Sequence, residues 1–179
     1  MNSDAPLVQP RTLGDFCAQI VARHAATWPP SEPILANAFA AHLGYEHMGS
    51  FEGLVRWCGS VGIQVSTKSL PHDVRGYHYW FRDKCEIFVD EDSRLVVSRE
   101  HTVFHELREL MEHVFREMGF PTLGENALES HAEAFAMHTR TAVVLETSKW
   151  LFDGAERVQS TWGRRSAYLL VGVGKGMSH

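Results

Sequence analysis

Residues 98–119 read SREHTVFHELRELMEHVFREMG, and the periodicity of this stretch decides the architecture. Val103, Leu107, Leu110, Val114 and Met118 recur at three- and four-residue spacing, the period of a helix with one apolar face. Ser98 is placed to cap this helix over Arg99–Met118, and Gly119 to close it. His105 and Glu109 stand four apart, on a face turned away from the apolar stripe.

Working outward, the segment before this helix changes period. Gly62–Thr67, Gly76–Phe81 and Cys85–Asp90 alternate apolar and polar residues or are rich in β-branched and aromatic ones. They predict three short strands in a small, partly antiparallel sheet, the last two joined by a turn at Arg82–Lys84. Upstream, Thr12 caps a predicted helix to about Ala26, stopped by Trp28-Pro29-Pro30. Ser31 opens a second helix to Leu43, ended by Gly44, and a third covers Phe51–Cys58. Downstream, Asn126 with Glu129 three residues on starts a helix to about Glu146. A last helix is expected over Asp153–Val171.

The chain has 179 residues, 44% hydrophobic and 22% charged, with a formal net charge of −5. Those proportions suit one globular unit. We expect a flexible start over residues 1–11, a single domain over 12–171, and a tail over 172–179. No apolar run reaches the ~18 residues of a membrane span, and the first residues carry no secretory pattern. Cys17, Cys58 and Cys85 are odd in number and without a CxxC pair, as expected of reduced thiols in a cytoplasmic protein. The acidic balance and the lack of a basic stripe weigh against direct binding of nucleic acid and against a membrane role. Ala38–Gly44 followed by Phe51–Trp57 faintly resembles a helix-turn-helix, but Arg56 is the single cation on its second half. Eleven histidines are many for this length, and histidine is the commonest metal ligand.

His105-Glu106-Leu107-Arg108-Glu109 has the arrangement by which a zinc peptidase helix works. Residues at i and i+4 hold the metal, and the glutamate beside the first takes a proton from the attacking water. The same residues also fit a solvated face on which Arg108, Glu109 and Glu112 form ordinary helix ion pairs. The next helix bears on the choice. Leu128, His131, Phe135 and Ala142 share an apolar stripe, whereas Glu129, Glu133 and Arg140 share one that reads as solvated. His131 is thereby expected to face inward, across a short connection that favours antiparallel packing. A di-iron carboxylate centre would need paired ExxH motifs, and the chain contains no ExxH.

At these residues the chain resembles the ImmA/IrrE metallopeptidases. Thr102-Val103-Phe104-His105-Glu106-Leu107 looks like that family's active-site entry, and His131-Ala132-Glu133-Ala134-Phe135-Ala136 like its second motif. Gly62-Ile63-Gln64-Val65, Gly76 and Glu86–Asp90 are similar to its strand pattern, so the resemblance covers about residues 50–145. Two positions depart from it: Glu109 stands where the family has a second histidine, and His131 where it has its ligand glutamate. The exchange keeps two histidines and one carboxylate.

The resemblance implies a compact α+β zincin-like domain: N-terminal helices, a small mixed sheet, an active-site helix and an adjacent ligand-bearing helix. It implies one Zn²⁺ per chain on His105, Glu109 and His131, with manganese or iron as alternatives, and Glu106 as the catalytic base. His101, His113, His138, Tyr77 and Tyr79 are the candidates for orienting a ligand or stabilising the developing charge, together with Arg75 and His78. It further implies a bacterial or phage regulatory protease acting on a protein substrate, a helix-turn-helix repressor, held in extended form on an edge strand at Cys85–Asp90. The alternative is a catalytically inactive binding module on the same fold; a DNA-binding regulator ranks below both.

Overall fold

The first helix begins where its capping residues dictate. In the computed structural model, which describes residues 10–43, 50–81, 84–92 and 96–148, the Asp15 amide donates to the Thr12 hydroxyl at 3.0 Å. The Thr12 amide donates in return to the Asp15 carboxylate, closing a capping box. This α1 (Leu13–His24) buries Leu13, Phe16, Cys17 and Ile20. A 3-10 turn at Ala25–Thr27 and a cis Trp28–Pro29 bond lead into α2 (Glu32–Leu43). The carbonyl of Ser31 accepts from the amides of Ile34 and Leu35, so Ser31 stands at the cap as expected. In α3 (Phe51–Ser60) the Ser50 hydroxyl accepts from the Gly53 amide. Gly62, at φ +84°, makes the reversal from α3 into the sheet that a side chain would resist.

Three strands follow: β1 (Ile63–Lys68), β2 (Gly76–Phe81) and β3 (Lys84–Asp90). Their order is β1-β3-β2, with β1 parallel and β2 antiparallel to β3. Cys85–Asp90 therefore lies in the centre of the sheet, not at its edge, because both neighbours bond to it. β2 is the edge strand on the side of the next helix.

α4 (Val96–Glu117) starts earlier than Ser98, whose backbone is already helical, so Ser98 is not the cap. The far end is as expected. Gly119 has φ +81°, and the Phe120 amide reaches back to the Phe115 carbonyl at 3.0 Å in a Schellman closure. Val103, Leu107, Leu110 and Val114 are buried, whereas Met118 is 39% exposed because it falls beyond the last turn. The fifth helix, α5, is described over residues 125–148. Its first bonds run from the amides of Ala127 and Leu128 to the Gly124 carbonyl, which places Asn126 inside the first turn. Glu112 of α4 meets the Leu123 amide, while His101 meets Glu133, so the two helices run antiparallel. The described residues thus form an α+β fold of five α-helices and a mixed three-stranded sheet. No helix among them is long and apolar enough to cross a membrane. Gly44, the turn residues Arg82 and Asp83, and the helix expected at Asp153–Val171 lie outside them. Pro10, placed in the expected flexible start, is buried.

One core joins all five helices. Phe39 meets Trp57 at 4.7 Å and Phe16, Phe104 and Phe135 at 5.9 Å each, all near edge-to-face. Within it lies a charged knot. Arg108, 3% exposed, donates from Nε to both Glu32 oxygens at 3.1 and 3.0 Å, and from a terminal nitrogen to Glu112 at 2.8 Å. Arg108 and Glu112 are therefore not on a solvated face. Because removing one partner strands buried charge, Arg108→Met is expected to cost about 3–5 kcal/mol of unfolding free energy. Urea denaturation checks this; an unchanged midpoint would show that the knot does not hold the helices.

Candidate metal centre

α4 presents two faces roughly 100° per residue apart. While Leu107 and Arg108 turn inward, His105 and Glu109 open onto a cleft of about 500 Å³ between β2, α4 and α5. Glu106 lines the same cleft from a deeper position, its side chain 8% exposed.

β2 lies close against α4. A Cβ at Gly76 would collide with the Thr102 methyl and come within 2.9 Å of the Phe88 carbonyl, so glycine is required for the approach. Strand alternation then turns His78 and Trp80 toward α4. His78 Nδ1 lies 2.8 Å from Glu106 Oε2 and 3.3 Å from Glu109 Oε2, and its Nε2 lies 3.4 Å from His113 Nε2. Burial opposes the charge on His78, but the bonds to Glu106 and Glu109 outweigh it and raise its pKa to about 9. Glu109 is correspondingly held below the usual carboxylate range, chiefly by its bond to His78. His113 is pushed down by burial and by the neighbouring His78 charge.

On the other side of Glu109, His105 Nε2 lies 3.8 Å from Glu109 Oε1 and 3.5 Å from Glu129 Oε1. The other ring nitrogen of His105 is 3.7 Å from Glu133, which His101 holds at 2.9 Å and keeps below its ordinary pKa. Two sets of donor atoms, His78/Glu106/Glu109 and His105/Glu109/Glu129, each fall within 4.8 Å of one another. Metal bonds of ~2.0–2.1 Å set tetrahedral ligand atoms roughly 3.4 Å apart. The His105 distances are within a few tenths of an ångström of that spacing, so the residues fit a divalent ion.

Among the expected residues, His105, Glu106 and Glu109 come together. His131 does not join them. Its Nδ1 bonds to Glu32 Oε1 at 2.7 Å, on the side of α5 that faces the Arg108 knot. Glu129 is exposed, as its polar flank implies, and its carboxylate also lines the cleft beside His105. His101 bonds to Glu133, and both His101 and Arg75 line the cleft. His113 touches His78 instead of the His105 pair. His138 is half-buried on α5 and is not among the residues lining the cleft. Tyr77 and Tyr79 fall on the opposite phase of β2, 41% and 48% exposed; Tyr77 stacks on Phe88 and is among the residues lining the cleft.

Compared with family models, curated proteins and solved structures, the chain matches none. The site therefore rests on its own geometry. The sequence offered His78 only as a donor to the developing charge and read Glu129 and Glu133 as a solvated face, yet both placements had a signal. His78 follows from strand phase once Gly76 is seen to face the helix. Glu129 and Glu133 are four apart on α5, like His105 and Glu109 on α4. His131→Ala is expected to lower stability by about 1 kcal/mol, through the lost bond to Glu32, and to leave zinc content unchanged. Urea unfolding and mass-spectrometric metal analysis check both; loss of zinc would return His131 to the donor set.

Proposed function

We propose that this chain is a divalent-metal-dependent endopeptidase of the ImmA/IrrE kind, with a zincin-like arrangement of helix and edge strand. The observation that carries the reading is the convergence of His105, Glu109 and Glu129 with Glu106 one position along the same helix. His105, Glu109 and Glu129 hold the ion, zinc in the first instance; two carboxylates and one imidazole also suit manganese or iron. The bound metal supplies Lewis acidity, activating water and polarising a peptide carbonyl. Two carboxylates leave the loaded site formally neutral.

Glu106 accepts the proton of the attacking water and passes it to the departing amine. Its burial beside His78 fixes the carboxylate in direction. Glu133 does the same for His105 by facing its other ring nitrogen, and His101 steadies Glu133. The substrate is a protein chain in extended form, laid along β2, an edge strand at the cleft. The free thiols of Cys17, Cys58 and Cys85 suit a cytoplasmic setting, where a helix-turn-helix repressor would be met.

A metal-holding binding module without activity is the second reading. The 2.8 Å contact between His78 and Glu106 favours it, since that contact occupies the base. Glu106→Gln separates the two. It is expected to cut turnover of a quenched-peptide mixture by roughly 10²–10⁴-fold with zinc content unchanged. Wild-type turnover in the variant would contradict the assigned base, and no turnover in wild-type protein loaded with zinc would favour the binding module.

A further inference from the structure

Glu109 offers its two oxygens to different histidines. Oε1 faces His105 Nε2 at 3.8 Å, and Oε2 faces His78 Nδ1 at 3.3 Å. Glu109 is the member shared by the two sets of three donors. The His78 set is the better enclosed: the side chains of His78, Glu106 and Glu109 are 16%, 8% and 19% exposed, against 71% for Glu129 in the other set. Its imidazole is also fixed from both ends. The carboxylates hold Nδ1, while Nε2 meets His113, whose ring lies nearly parallel to Trp80. Outer partners of this kind orient a metal-binding histidine. One imidazole nitrogen and two carboxylates again suit a borderline divalent cation.

We propose that His78, Glu106 and Glu109 form a second cation position, bridged to the first through Glu109, and that excess zinc bound there inhibits the enzyme. A cation on Glu106 takes up the lone pair that the carboxylate needs to accept a proton from water. The second ion binds more weakly than the first, because Glu109 is shared and two like charges sit within a few ångströms of each other. The inhibitory half rests on the peptidase reading; the binding half rests on the His78 geometry alone.

Zinc titration of the full chain followed by native mass spectrometry tests it, on wild type, His78→Gln and Glu129→Ala. Glutamine retains a donor toward Glu106, and circular dichroism verifies that each variant is folded. Wild type is expected to take up two ions in succession, His78→Gln to lose the weaker and Glu129→Ala to lose the tighter. Peptide turnover should rise with the first equivalent of zinc and fall with the second. Saturation of wild type at one ion, or two ions retained in His78→Gln, would overturn the second position. If Glu129→Ala then removes that single ion, the first site stands without the second. If His78→Gln removes it instead, the peptidase donor set is the assignment that fails.

Discussion

Arg108 is a full cation with almost no exposure, and it survives there only because Glu32 and Glu112 enclose it. Stripping water from such a group costs several kcal/mol, which the paired carboxylates must offset. The consequence reaches beyond stability. Arg108 belongs to α4, Glu32 to α2, and Glu112 accepts from the Leu123 amide on the approach to α5. His131 of α5 closes the knot on Glu32. The bonds that satisfy one buried guanidinium therefore set the rotation of α4 about its axis and the seat of α5 beside it. Glu109 follows Arg108 directly, so fixing one inward fixes the other at the cleft.

The sheet supplies the opposite wall under a second constraint, the absence of a Cβ at Gly76. That close approach brings β2 against Thr102, and strand phase puts His78 over Glu106 and Glu109. A one-residue slip would exchange His78 for the tyrosines on either side. The core locks this register through central β3, whose Ile87 and Val89 are fully buried. Tight packing on one face and a polar cleft on the other are both read out along α4 at successive positions.

Much of the fold was legible because it is written in local chemistry. Thr12, Ser31 and Gly119 bound their helices by bonds to backbone groups a few residues away, although Ser98 does not cap α4, and the three strands show their period in short runs. The candidate donor set was less legible because it depends on contacts between segments far apart in the chain. Hydropathy marked His131 as inward, whereas its side chain is 44% exposed and only its Nδ1 reaches the buried Glu32. That partner lies 99 residues earlier, and Arg108 meets the same carboxylate across 76. No periodicity could separate a half-exposed histidine bound to a buried carboxylate from one aimed at a cleft. Glu129 is exposed as its polar flank implies, and hydropathy alone does not tell that this flank borders a cleft.

The proposed chemistry follows from this division of α4 and α5 into a knot side and a cleft side. The knot claims His131, and the cleft is left with one histidine and two carboxylates around the first ion. X-ray absorption at the zinc edge, on the full chain loaded with one equivalent, tests that claim most directly. A single imidazole among otherwise oxygen donors is the predicted environment. Two or more imidazoles bound to the zinc would contradict it and require His131 or another histidine in the set.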